Sequence, residues 1–420
     1  MRVLILLTIA LSLPGQSPEG LFLGEIAGGM GKLRLALEIK QSADGKFSSQ
    51  IISIDQGYVK LSAAATTFVD KTLKLNLSNI NAGYEGELSD DGQTFTGTFT
   101  QGIAMPLVLK RIAELPRPPR PQEPKEPYPY LSEDLTFAGG AAGVTLSGTL
   151  TRPKESTRFA AVVLVSGSGP QDRNEELAFH KPFLLWADTI TRAGIAVLRY
   201  DDRGTAKSTG SFRGATSKDF AMDAAGAVAY LRTRKDIDAA KIFVMGHSEG
   251  GVIAPMVAAE DSKIAGIVLL AGAAITGERI LARQLPDLGR AAGLNEEQAA
   301  ANAKLGLEKI IKEKATDPWM AFFWDYDPVP AIKKVKCPVL ALNGELDMQV
   351  NAKENLGAME LAFRESGNKR TTIKALPNLN HLFQTAKTGS GHEYSNVEET
   401  VSPIALEEVT KWLKSILATK

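Results

Sequence analysis

The residues of this chain best suited to covalent chemistry lie in "FVMGHSEGGVIAP", positions 243–255, where Ser248 stands among Gly246, Gly250 and Gly251. A serine hydroxyl attacks poorly unless a histidine takes its proton and a carboxylate orients that histidine. Four histidines are available: His180, His247, His381 and His392. His247 sits inside the motif, where its ring is expected to point away from the hydroxyl of the residue that follows. His381, in "LPNLNHLFQ", falls on a loop after the strand-like "RTTIKAL" and well before the last helical stretch. Just past another apolar run, "VLALNGELDMQV" supplies two carboxylates, Glu345 and Asp347. Serine, acid and histidine therefore follow one another in that order.

Positioning such a serine takes a sharp strand-to-helix turn. Gly246-His247-Ser248-Glu249-Gly250 matches G-x-S-x-G, a pattern that glycine-rich chains also produce by chance, so context decides. The apolar strand "KIFVM" leads in and the helix-like "GVIAPMVAAE" leads out, and glycines two residues to either side remove side chains that would collide with the turn. An oxyanion needs two backbone N–H groups aimed at the developing charge. Glu249 is expected to supply one. The other is expected from the loop "VSGSGPQDRN", with Ser168 first in line and Gly169 second.

These loops hang on a regular series of elements. "FAAVVLVSG" (159–167), "IAVLRY" (195–200), "KIFVMG" (241–246), "IAGIVLLAG" (264–272) and "CPVLALNG" (337–344) are apolar runs of strand length separated mostly by helical stretches. That alternation predicts an α/β fold, a mostly parallel sheet with helices on both faces. The longer gap, 273–336, reads as a helical lid. Upstream, "EDLTFAGGAAGVTLSGTLTRP" reads as a hairpin. "LPRPPRPQEPKEPYPY", 115–130, has seven prolines and predicts an extended linker ahead of a catalytic domain at 131–420. Residues 20–114 alternate with period two around turns such as Asp44-Gly45 and Asp91-Gly92, predicting a small antiparallel barrel or sandwich.

Residues 1–19 carry Arg2, an apolar run from Val3 to Leu13, then Pro14, Gly15 and Ser17, the order of a secretory signal peptide. The expectation is export to periplasm or medium, without stable membrane insertion, since the run is too short to span a bilayer. Cys337, the single cysteine, excludes an internal disulfide. Basic and acidic residues balance at 48 each, which gives no reason to expect nucleic acid as partner and suits a small neutral substrate. No zinc-type Cys/His spacing, P-loop or dinucleotide glycine pattern occurs, so neither metal nor cofactor is expected.

Taken together, "VSGSGPQDRN", "HKPFLLWADTITRAGIAVLRYDDRGTAKSTG", "GHSEGG", "CPVLALNGELDMQV" and "LNHLFQTAKTG" resemble a bacterial branch of the α/β-hydrolase superfamily, serine esterases related to dienelactone-hydrolase and acyl-CoA thioesterase types. The resemblance covers residues 131–420, and the leader with its small β-domain is similar to the N-terminal extension of many exported members. It implies a carboxylesterase acting on small acyl esters through an acyl-enzyme, with Asp347 rather than Glu345 as the acid beside Ser248 and His381. Ser166 stands where many relatives carry a histidine, which bears on the second oxyanion donor. A thioesterase or a serine peptidase would use the same triad. A binding protein with a vestigial hydrolase domain is the alternative from another class.

Other polar features read more simply. Asp201, Asp202 and Arg203 are expected to brace the loop beside the site, His180 to be packed or capping, and His392 to be solvated. Asp172 and Arg173 serve either the loop or a polar substrate group. The aromatic cluster "PWMAFFWDYDP", 318–328, is core or the lining of an acyl pocket.

Overall fold

The computed structural model describes residues 17–28, 31–155 and 158–419; the expected leader lies outside them as far as Gln16. The chain divides into two compact units, Met1–Pro118 and Pro119–Lys420.

In the first unit, β1 (Gly20–Gly28), β2 (Gly31–Gln41), β3 (Phe47–Ser53), β4 (Val59–Ser62), β5 (Ala65–Val69), β6 (Thr72–Leu77), β7 (Ala82–Leu88), β8 (Thr94–Gln101) and β9 (Ile103–Ile112) form one antiparallel sheet. Its order is β4-β3-β2-β1-β9-β8-β7-β6-β5. Period-two alternation drives it: Leu73, Leu75 and Leu77 of β6 are buried while Lys74 and Asn76 between them are exposed. The sheet curls into a half-barrel rather than a sandwich, bringing Ser49 of β3 to Thr66 of β5 with hydroxyls 2.7 Å apart. Phe22 and Phe95 meet edge to face in the interior, ring centroids 4.9 Å apart, with Tyr84 buried in the same core.

The second unit opens with the expected hairpin, β10 (Leu131–Ala138) and β11 (Thr145–Arg152). It continues with β12 (Phe159–Val165), β13 (Ala196–Tyr200), β14 (Ile237–His247), β15 (Gly266–Leu270), β16 (Val339–Gly344) and β17 (Thr371–Leu376), in the sheet order β10-β11-β13-β12-β14-β15-β16-β17. From β13 to β17 every neighbouring pair is parallel. Every residue of β12, β13, β15 and β16 is buried, as a sheet covered on both faces requires. The helices are α1 (Pro182–Arg192), α2 (Ser217–Thr233), α3 (Glu249–Glu260), α4 (Gly277–Ala291), α5 (Glu296–Lys314), α6 (Pro318–Asp325), α7 (Val329–Lys334), α8 (Ala352–Ser366) and α9 (Pro403–Ala418). One core layer takes Trp186 of α1 and Leu413 of α9; the opposite layer takes Val228 of α2, Ile253 of α3 and Phe363 of α8. Helices α4 to α7 fill the gap read as a lid.

The proline-rich stretch forms no regular element from Pro119 to Tyr130, as missing N–H groups dictate, yet it is anchored rather than free. Arg120 donates to the carbonyls of Phe179 (3.1 Å) and Ser395 (2.7 Å), Gln122 donates to that of Val401 (2.8 Å), and the Tyr130 hydroxyl donates to Asp188 (2.9 Å). No helix among the described residues is long and apolar enough to cross a membrane.

Candidate active site

Ser248 occupies the corner between β14 and α3 with φ 53° and ψ −113°, a conformation that is strained for any residue with a side chain. The strain is held by two backbone bonds, Ser248 N–H to Leu270 O (2.8 Å) and Gly251 N–H to Ser248 O (2.9 Å). The flanking glycines are required by close approach. A Cβ on Gly246 would lie 1.9 Å from Gly250 O, and one on Gly250 would lie 2.1 Å from Val165 O. Both obstacles are backbone, so no rotamer relieves them. Gly250→Ala is therefore expected to cost at least about 1–3 kcal/mol and to displace the serine, seen as a lower Tm together with lost turnover. Wild-type Tm and turnover in that variant would contradict the crowding.

The serine meets the partners expected for it. His381 Nε2 lies 3.0 Å from Ser248 Oγ, and His381 Nδ1 lies 2.7 Å from Asp347 Oδ2. Asp347, on the loop after β16, is fixed by two backbone donors, Gln349 N–H and Val350 N–H, each 2.8 Å from Oδ1. His381 follows β17 on a loop shaped by Asn380, whose side-chain oxygen accepts the N–H groups of Leu382 and Gln384 at 3.0 Å. Both partners are buried, His381 at 3% exposure and Asp347 at 4%. Glu345 is exposed and takes no part.

Glu249 is the first residue of α3, so its N–H is one of the orphan donors at a helix start and points to where an anion is favoured. Ser168 lines the cavity that Ser248 faces, whereas Gly169 lines neighbouring clefts instead. Gly167 N–H is already committed to Glu175 Oε1 at 2.7 Å. The loop carrying these groups is pinned from below. Ser166 Oγ donates to Asp202 (2.8 Å), and Gln171 N–H donates to the other oxygen of the same carboxylate (2.9 Å). Burial pushes the Asp202 carboxyl well above the usual carboxylate range. Arg173 forks onto Asp201 with contacts of 3.0 and 2.7 Å, and Arg203 pairs with Asp223 at 2.6 Å. Asp172 caps the turn by accepting the N–H groups of Asn174 and Glu176 at 3.0 Å. Asp172 and Arg173 thus serve the loop.

Ser248 opens onto a cavity of about 210 Å³. Its walls are apolar and come largely from the lid: Ile280 and Leu281 of α4, and Trp319, Phe322 and Phe323 of α6. Trp319 and Phe323 stack with centroids 5.3 Å apart. The aromatic cluster therefore lines the pocket. The acidic residue in the lining is Glu249, whose carboxylate accepts Ser217 Oγ–H (2.6 Å) and Trp319 Nε1–H (3.0 Å). Burial raises its pKa.

Two histidines stay away from this cavity. His180 is fully buried between Thr400 Oγ1 (2.9 Å) and Tyr394 O (2.8 Å), and burial pulls its pKa down to about 4. His392 is exposed on its loop. His247, set aside in the sequence, reaches Glu175 Oε1 with Nδ1 (2.9 Å) and His381 O with Nε2 (3.0 Å). Nothing in the spacing signalled that pair, because its members are 72 residues apart.

Compared with known proteins, the chain matches over residues 180–323 a family model described as serine aminopeptidase, S33. It is 28% identical over 422 residues to esterase EstD of Thermotoga maritima, a match spanning 94% of this chain and 98% of that protein. Among solved structures it is similar to the α/β hydrolase GrgF from Penicillium sp. sh18, 20% identical with a TM-score of 0.47 over 69% of this chain and 99% of that one. It is also similar to the Pyrococcus furiosus esterase Pf2001, 17% identical with a TM-score of 0.47 over 73% of this chain and 98% of that one.

Proposed function

We propose that the chain is an α/β-hydrolase and, within that superfamily, a serine carboxylesterase of the exported, dienelactone-hydrolase-like branch. The observation that carries the reading is the hydrogen-bonded line from Ser248 through His381 to Asp347, opening onto an apolar cavity. Ser248 Oγ attacks the ester carbonyl while His381 Nε2 takes its proton, and Asp347 holds the imidazole in the tautomer with the proton on Nδ1. The N–H groups of Glu249 and Ser168 receive the oxyanion. The protonated His381 hands its proton to the departing alcohol, and water, deprotonated by the same histidine, then releases the acyl group.

The cavity sets the substrate. Its apolar walls from Ile280, Leu281, Trp319, Phe322 and Phe323 suit a short to medium aliphatic acyl chain or a single aromatic ring. The family model that matches supports a second reading, an aminopeptidase. Such an enzyme needs an anionic group for the free α-ammonium of its substrate, and the carboxyl lining this cavity, Glu249, has its pKa raised by burial and its Oε1 held by Ser217 and Trp319. That favours neutral esters. Export is proposed on the run from Val3 to Leu13, to be checked by fractionating producing cells.

The test is steady-state hydrolysis of p-nitrophenyl esters from acetate to palmitate, beside thioester and aminoacyl-p-nitroanilide substrates. Turnover is expected to peak with short to medium acyl esters, and Trp319→Ala, which removes one wall of the cavity, is expected to move the optimum to longer chains. Preference for the anilides would overturn the esterase reading in favour of the peptidase, and absence of turnover with all three classes would favour the binding protein. An unmoved optimum in Trp319→Ala would remove the cavity from the acyl site.

A further inference from the structure

The loops around Ser248 leave different strands, and one buried pair, Glu175 and His247, is bonded both to the loop after β12 and to the loop after β17. Glu175 follows β12 on the loop that carries Ser168, with a positive φ of 51° and 3% exposure. Its Oε1 accepts Gly167 N–H at 2.7 Å and faces His247 Nδ1 at 2.9 Å. The other ring nitrogen of His247 faces the carbonyl oxygen of His381 at 3.0 Å. A neutral imidazole has a single N–H and cannot donate at both nitrogens. Both bonds stand together when His247 is the imidazolium and Glu175 the carboxylate.

The geometry points to Glu175 and His247 as one positioning unit, which sets the oxyanion loop and the loop of His381 against Ser248 at the same time. The inference rests on the reading of Ser248 and His381 as nucleophile and base. One carboxylate oxygen orients Gly167, and with it the N–H of the next residue, Ser168. Through the ring of His247 the same oxygen holds the backbone of His381, so that its Nε2 stays within reach of Ser248 Oγ. Neither residue touches the substrate. An error of about 1 Å in such a placement costs on the order of 100-fold in rate.

The groups facing His247 are Glu175 from the loop after β12, and Asp347 and His381 from the loops after β16 and β17. Burial alone would lower the pKa of His247, but the Glu175 carboxylate, the carbonyl of His381 and the charge of Asp347 together outweigh it and the net direction is upward. The sign follows: the unit is complete at low pH and is lost as pH rises through that elevated value. Activation of Ser248 also needs neutral His381, so the pair adds an alkaline limb to a profile whose acid limb belongs to the base.

Glutamine at 175 cannot replace the carboxylate. Turned one way, its oxygen accepts from Gly167 and from a neutral His247, leaving the lone pair of His247 Nε2 against His381 O. Turned the other way, its NH2 opposes Gly167 N–H. Either choice releases one loop. His247→Gln is the milder partner, since its amide can still donate to His381 O but no longer titrates.

The experiment is the rate constant for labelling of Ser248 by a fluorophosphonate from pH 6 to pH 10, in the full chain and in Glu175→Gln and His247→Gln, with circular dichroism confirming the fold of each. A phosphonate reports activation of the serine whatever the natural substrate. Labelling is expected to fall about 10- to 100-fold in Glu175→Gln, with the alkaline limb moved to lower pH, and the limb is expected to be absent in His247→Gln. Labelling within twofold of wild type in both folded variants overturns the unit while leaving the esterase reading intact. A slower rate with an unmoved alkaline limb assigns the pair to folding alone and overturns it too. A wild-type chain that the phosphonate does not label overturns the nucleophile itself, and the unit with it.

Discussion

Ser248→Ala is expected to lower kcat for the preferred p-nitrophenyl ester by at least about a thousandfold, with KM changed far less. The oxygen it removes is the one 3.0 Å from His381 Nε2. Ser168 and Ser217 also line the cavity, but the side chains of both bond to the Glu249 carboxyl instead. The substitution also relieves nothing in the elbow, because alanine keeps the Cβ and the positive φ of position 248; the fold and its Tm stay close to wild type. Residual turnover comes from the oxyanion donors and the cavity acting on water alone. Intact-mass measurement during turnover of a slow ester checks the same point by another route: an acyl adduct is expected on wild type and none on the variant. Activity that survives the substitution with the fold intact would overturn the serine mechanism.

Asp347→Asn is expected to lower kcat by on the order of ten-thousandfold, and Glu345→Gln to leave it within about twofold. The reason lies in the donors already fixed around position 347. Gln349 N–H and Val350 N–H both point at Oδ1, so an asparagine places its carbonyl oxygen there and turns its NH2 toward His381 Nδ1. The histidine then accepts at Nδ1 and carries its proton on Nε2, which faces Ser248 and can no longer take the serine proton. Because the substitution is nearly isosteric, KM and the circular dichroism spectrum are expected to hold. The comparison is made at saturating substrate over a pH series, since hydroxide partly restores a wrong-tautomer enzyme at high pH. Equal losses at 345 and 347, or a loss confined to 345, would move the acid.

Much of this site was legible in the sequence because its signals are local. The elbow needs small residues two positions to either side of Ser248, and the reason is visible in the contacts that a Cβ at Gly246 or Gly250 would make. The alternation of apolar runs with helical stretches gave the parallel sheet, since burial on both faces leaves no polar alternation to read. Ser168 was reached by counting past the first of those runs, and it lines the cavity with Ser248. The choice between Glu345 and Asp347 was different. Both follow the same strand two residues apart, and what separates them in three dimensions is that Asp347 is buried against His381 Nδ1 while Glu345 is exposed.

By itself, the sequence determined the elements that carry Ser248, Asp347 and His381, the small residues of the elbow and the helical character of the gap at 273–336, because each depends on residues within a few positions of one another. The tertiary structure alone decided which polar groups meet. Glu175 and His247 are 72 residues apart, His247 and the carbonyl of His381 are 134 apart, and Trp319 of the lid reaches Glu249 across 70. The proline-rich stretch was readable as lacking helix or strand, but its anchorage through Arg120 to the carbonyl of Ser395 spans 275 residues. Backbone conformation is written in neighbouring residues, whereas a hydrogen bond between distant loops exists only once the sheet has set their separation.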